Sequence, residues 1–136
     1  MPKSLSCVLL ADRHHGLSEG VRGLLSTAFG SVVMVADEAS LIDGAARLQP
    51  DVVIVDLSLA PDSRLNWLQA LRQDCPDLKV IVLSVHDEQS VREAVLRAGA
   101  DAFVLKRAIA TDLLAAVDAL RRDPCTVAAN QDKDRP

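Results

Sequence analysis

Five short runs of continuously apolar residues, rich in β-branched side chains, constrain this chain more than any other feature. They are CVLLA (7–11), VVMVA (32–36), VVIV (52–55), KVIVL (79–83) and AFVL (102–105). None alternates apolar with polar, which is the signature of strands buried on both faces of a parallel sheet. Amphipathic segments separate them. Leu17, Val21, Leu24, Leu25 and Ala28 repeat at helical spacing. Ile42, Ala45 and Ala46 do so over residues 38–48, Leu68 and Leu71 over 64–74, and Val91, Ala94, Val95 and Ala98 over 88–98. Leu113, Leu114, Val117 and Leu120 mark a last helix over about 110–121. Strand and helix alternate five times, which predicts an α/β three-layer sandwich with right-handed crossovers. Turn signals agree: Pro50-Asp51 and Pro76-Asp77 precede the third and fourth strands, and Gly99 suits the residue after the fourth helix.

At 136 residues the chain fits one domain, able to bury roughly two-thirds of its unfolded surface. The expected domain covers residues 5–122. Residues 123–136, polar and proline-flanked, are expected to form a flexible tail or the start of a linker, with Pro124 ending the last helix. A net charge of −4 offers no basic footprint for nucleic acid or for an anionic membrane. Phe29, Trp67 and Phe103 are the only aromatic residues, too few for a base-stacking platform. Cys7, Cys75 and Cys125, an odd number without C-x-x-C spacing, read as free thiols in a reducing compartment. No apolar run reaches the ~18 residues of a membrane span, and the N-terminus lacks the core of a signal peptide, so a cytoplasmic location is expected.

In an open parallel sheet, ligands bind beyond the carboxyl ends of the strands. There the sequence sets Asp12 and Arg13 after the first run, Asp56 after the third, Ser84 after the fourth and Lys106 after the fifth. Any one of these is explained as an ordinary polar residue leaving a strand or capping a helix. Two acids, a hydroxyl and an amine, Asp12, Asp56, Ser84 and Lys106, together on one rim point to chemistry. A carboxylate after VVIV needs a partner to offset its desolvation, and Lys106 can supply it. A carboxylate is also a nucleophile toward a phosphoryl group, a reaction that calls for a cation on the phosphoryl oxygens and a hydroxyl donor.

The stretches VLLAD, DVVIVDLSL, KVIVLSVHDE and AGADAFVLK resemble the receiver domain of two-component response regulators, in the branch that precedes a helix-turn-helix output domain. The resemblance covers residues 5–122. It implies a doubly wound, flavodoxin-like five-stranded parallel sheet of order 2-1-3-4-5. It also implies Asp56 as phosphoacceptor, Ser84 as the hydroxyl that turns toward the phosphoryl group, Lys106 as the site lysine and Phe103 as the aromatic switch. Asp12 matches an acid of the pocket, and Asp12, Asp56 and the Ser58 carbonyl match the donors of a Mg²⁺ ion. The implied partners are a sensor histidine kinase or phosphotransfer protein, a second copy in a homodimer, and a DNA-binding output domain outside these residues. The output face would be the fourth helix, fifth strand and fifth helix, with Val91, Val95, Phe103 and Leu114. The resemblance implies no enzyme beyond phosphoryl transfer to Asp56, and neither membrane nor direct nucleic-acid contact.

Three positions depart from the pattern. Arg13 stands where the family has its second acid, a direct Mg²⁺ ligand. Ala60 replaces a proline, with Pro61 one place late, and Arg64 replaces a glycine, which implies a rebuilt loop. The usual rim carries two net negative charges, whereas Asp12, Asp56, Arg13 and Lys106 sum to zero. Weak or absent Mg²⁺ binding and poor Mg²⁺-dependent phosphorylation are therefore expected. Two orientations of Arg13 are open: inward, clamping Asp12 or Asp56, or outward into solvent. The inward pairing is the expectation, because it neutralises a partly buried acid.

Three other readings compete. A pseudo-receiver, binding partners without phosphate, draws support from Arg13, Ala60 and Arg64. A nucleotide or flavin binder lacks G-x-G-x-x-G and ring-stacking aromatics. A Zn²⁺ or Ni²⁺ site from Asp12, His14 and Asp56 lacks the i, i+4 histidine pairing, and His14, His15 and His86 suit surface or capping roles. HDEQSVRE reads as a helix start with Asp87 or Glu88 at its positive end.

Overall fold

A computed structural model describes residues 7–13, 15–27, 29–59, 66–75 and 77–121, and the side chains of residues 15–19 and 121 fall outside that description. Five strands, β1 (Cys7–Ala11), β2 (Ser31–Val35), β3 (Val52–Asp56), β4 (Lys79–Ser84) and β5 (Ala102–Leu105), alternate with five helices. The helices are α1 (His15–Leu25), α2 (Glu38–Leu48), α3 (Asn66–Asp74), α4 (Gln89–Arg97) and α5 (Ile109–Arg121). All strand pairings are parallel, as the apolar runs predict, and the order is β2-β1-β3-β4-β5, as the family resemblance implies.

Period-two alternation along the central strands divides the core between the two faces of the sheet. Leu9, Ala11, Val53, Val55, Val80 and Val82 point toward a layer that includes Leu41, Trp67, Leu68, Leu71 and Val95 from α2, α3 and α4. Val8, Leu10, Val52, Ile54, Ile81 and Leu83 point the other way, onto Val21 and Leu25 of α1 and Leu113 and Val117 of α5. Each central strand is thus apolar on both faces, which is why its sequence is a run and not an alternation.

Several expectations are corrected in detail. The second run pairs as Ser31–Val35, leaving Ala36 outside, and it is only half-buried because the strand order puts β2 at the edge. On α2 the buried positions are Leu41 and Ala45, one helical turn apart, with Ile42 half-buried beside them, while Ala46 is exposed. On α4 only Val95 is fully buried, and Ala94 faces solvent. Gly99 follows α4 with φ 124, a conformation that L side chains rarely adopt. Cys7 and Cys75 are free thiols, both half-buried, and burial followed by the Asp51 charge pushes the Cys7 thiol up. Ala28, Ala60, Pro61, Arg64, Pro76, Pro124, Cys125 and the predicted tail lie outside the described residues. Among the described residues no helix is long and apolar enough to cross a membrane.

Candidate functional site

Among the described residues, the buried polar or charged ones are Asp12, Asp56 and Ser84. All three stand at the carboxyl ends of adjacent strands β1, β3 and β4. The parallel register does this: Ala11 pairs with Val55, Asp56 with Leu83 and Ser84 with Leu105, so neighbouring strands end within a residue of one another and their last or next residues arrive on the same rim. Lys106 follows β5 directly, with a side chain only 11% exposed. Its ammonium bridges the two acids, 2.5 Å from Asp56 Oδ2 and 3.7 Å from Asp12 Oδ2. The Ser58 amide donates to Asp56 Oδ1 at 3.0 Å, as the chain turns into a short 3₁₀ segment (Leu57–Leu59). Burial pushes the Asp56 carboxyl up. The hydrogen bond from Lys106, the Ser58 amide, the neighbouring Asp12 side chain and the charge of the ammonium outweigh it and hold the group below the ordinary carboxylate range.

Arg13 corrects the expectation of an inward clamp. Its side chain is exposed, and Nη1 donates to the Ser58 backbone carbonyl at 3.2 Å, not to either carboxylate. The reason is geometric: Lys106 already fills the space between the acids, and the carbonyl just past Asp56 is the acceptor a guanidinium reaches from the rim. Arg13 thus occupies one of the oxygen donors that the resemblance assigns to Mg²⁺.

Ser84 is buried, and its hydroxyl accepts from the His86 amide at 2.9 Å, so the described contact ties it to its own loop. Phe103 is 9% exposed and packs in the core. The Arg92 guanidinium of α4 stands 5.5 Å above its ring centroid. Val95 is core, whereas Val91 and Leu114 are half-buried. Arg107, next to the site lysine, pairs with Asp87 at 3.0 Å and links the loop after β4 to the segment after β5. Sequence reasoning missed the Arg92 and Arg107 contacts, because each joins residues that have no relation in linear spacing. Glu88 is the residue before the first turn of α4, as the helix-start reading has it, and makes no side-chain capping bond. His86 is exposed, 3.8 Å from Glu88. His14 and the His15 side chain lie outside the description, and no group of three or more metal-binding side chains occurs among the described residues.

Comparison with known proteins identifies the family and the fold. The family described as the response regulator receiver domain matches residues 8–118. The nitrate/nitrite response regulator protein NarP of Escherichia coli is 40% identical over 114 residues, covering 82% of this chain and 53% of NarP. The transcriptional regulatory protein DegU of Brevibacillus brevis is 31% identical over 112 residues, 81% of this chain and 48% of DegU. The chain therefore spans about half the length of the curated relatives it matches. Among solved structures, the receiver domain of the NarL response regulator from Mycobacterium tuberculosis superimposes with a TM-score of 0.77 at 27% identity, over 89% of this chain and 98% of that one. The isolated receiver domain of RcsB from Salmonella enterica serovar Typhimurium, solved with phosphomimetic BeF₃⁻, gives 0.79 at 27%, over 93% and 98%. This chain belongs to the response regulator receiver domain family of two-component signalling.

Proposed function

We propose that this receiver takes its phosphoryl group on Asp56, that Lys106 and Ser84 serve the phosphoryl oxygens, and that Mg²⁺ contributes little to the reaction. Three facts support Asp56: it is buried at the sheet's switch point, its carboxyl is held ionised, and a lysine is on it. The observation that carries the weak-metal reading is the bond from Arg13 Nη1 to the Ser58 carbonyl. A hard dication wants anionic oxygens, and Asp12, Asp56 and the Ser58 carbonyl fit it poorly once a guanidinium covers the third and cancels charge on the rim. A unit-charge pair a few ångströms apart near a protein surface is worth roughly 3–4 kcal/mol, so exchanging an acid for a base counts heavily against binding.

The upstream partner in this reading is a sensor histidine kinase or phosphotransfer protein. The downstream one is a DNA-binding output domain outside these residues, with the α4-β5-α5 face carrying the signal or a homodimer contact. The relatives about twice this chain's length support that arrangement, as does the RcsB neighbour, solved bound to a promoter. Calorimetric titration with Mg²⁺ tests the metal reading. The expected result is no binding at millimolar metal by the wild type and binding by Arg13→Asp. Sub-millimolar affinity in the wild type overturns it, and failure of Arg13→Asp to bind assigns the defect to the loop containing Ala60 and Arg64. The second reading, a phosphorylation-independent pseudo-receiver, is favoured by a rim already neutral without phosphate. It requires that Asp56→Asn leave self-association and partner binding unchanged.

A further inference from the structure

Arg13 does more than remove a metal ligand. Its guanidinium is held at the Ser58 carbonyl, and the amide of that same Ser58 is hydrogen-bonded to Asp56 Oδ1. The cation is therefore anchored on the carbonyl of the residue two places after the carboxylate that would receive a phosphoryl group. Lys106 sits against the other carboxylate oxygen, Asp56 Oδ2. An arginine presents five N–H donors in a planar fork and one is engaged by the carbonyl, so the remaining donors match the oxygens of a tetrahedral oxyanion. The rim thus carries two cations close to one nucleophile, Lys106 on its carboxylate and Arg13 on the carbonyl of the residue whose amide that carboxylate accepts from, and cations near the reacting oxygens are what electrostatic stabilisation of phosphoryl transfer requires.

We propose that Arg13, anchored on the Ser58 carbonyl, acts with Lys106 as the cation pair for a phosphoryl group arriving at Asp56, so that this receiver is phosphorylated without a divalent metal. The inference rests on the reading of Asp56 as phosphoacceptor. With acetyl phosphate as donor, an Asp56 carboxylate oxygen attacks phosphorus and the new O–P bond forms. The bond from phosphorus to the acetyl oxygen breaks, and acetate leaves with its electron pair. No proton or redox partner is needed. Lys106 passes from the carboxylate to a phosphoryl oxygen, and Arg13 takes up the charge that a dication would otherwise meet.

Intact-protein mass spectrometry after incubation with acetyl phosphate tests this, in excess EDTA and in millimolar Mg²⁺. The wild type is expected to gain one phosphoryl group equally in both, and Asp56→Asn to gain none. Arg13→Ala is expected to slow labelling in EDTA about tenfold or more, and Arg13→Asp to label only with Mg²⁺. Wild-type labelling that appears only with Mg²⁺ overturns the inference and leaves Asp56 standing, as does an Arg13→Ala chain that labels in EDTA at the wild-type rate. If the wild type labels in neither condition while Arg13→Asp labels with Mg²⁺, the inference falls and Asp56 again stands. Labelling of Asp56→Asn at the wild-type rate overturns both.

Discussion

Lys106 holds the rim together. It touches two buried carboxylates from different strands, and the Asp56 side chain is only 3% exposed. Removing one partner of a buried ion pair leaves an uncompensated charge, which typically costs about 3–5 kcal/mol. The Lys106 side chain keeps 11% exposure, so Lys106→Met is expected to lower stability by about 2–4 kcal/mol at neutral pH, read from urea unfolding. The pH dependence has a definite sign. The Asp56 pKa is lowered on folding from an ordinary value of 3.8, so its contribution is complete above that pH and is lost as pH falls through the folded-state value. The gap between wild type and Lys106→Met should therefore narrow below pH 3.8, as Asp56 takes up its proton. A gap that stays constant through that range would mean the lysine stabilises by packing alone.

At the scale of the elements, the join between α4 and β5 depends on an arginine and a glycine far from the rim. Arg72 of α3 donates to the Gly99 carbonyl at 2.9 Å, to the Leu78 carbonyl, and to Asp101 at 2.8 Å. Asp101 in turn accepts from the Val80 amide at 2.8 Å. One side chain thereby fixes the entrances to β4 and β5. Gly99 lies against it: a Cβ there would come within 3.0 Å of Arg72 Cγ, on a backbone with φ 124. Gly99→Ala is expected to cost about 1–3 kcal/mol from the strained backbone, with displacement of Arg72 added. Gly23, exposed on α1 with nothing within 4 Å of its Cβ position, should respond oppositely. Gly23→Ala is expected to stabilise by roughly 0.5–1 kcal/mol. Thermal unfolding of the two variants reads both signs, and a stabilised Gly99→Ala would show that the Arg72 junction is not strained by a side chain.

Across the whole molecule, one sheet separates two apolar layers, and the same strands supply both. Leu9 and Leu10 are neighbours in β1, fully buried, and face opposite layers. Alanine at either position is expected to cost about 2–5 kcal/mol. Because both layers share the central strands, each variant should shift a single cooperative transition. Separate transitions by circular dichroism and Trp67 fluorescence, the latter reporting the α3 side, would contradict that coupling. The shared sheet also links core to function, since the strands that bury these leucines end at Asp12, Asp56 and Ser84.

Apolar runs and their spacing were enough to establish the alternating strands and helices, the parallel sheet, and the convergence of Asp12, Asp56, Ser84 and Lys106 on one rim. Burial on both faces and period-two geometry are local properties that side-chain chemistry enforces. Strand order, and with it the edge position of β2, came from the family resemblance and not from the apolar runs, and the outward Ala46 and Ala94 were legible in neither, because the packing of each helix on the sheet sets them. The orientation of Arg13 was decided by tertiary structure alone. A long flexible side chain follows the nearest unfilled acceptor, and the Lys106 ammonium, delivered from a strand more than ninety residues later, had already filled the space between the acids. The sequence determined that a base replaces an acid at the site. Only the fold decided that this base rests on the Ser58 carbonyl.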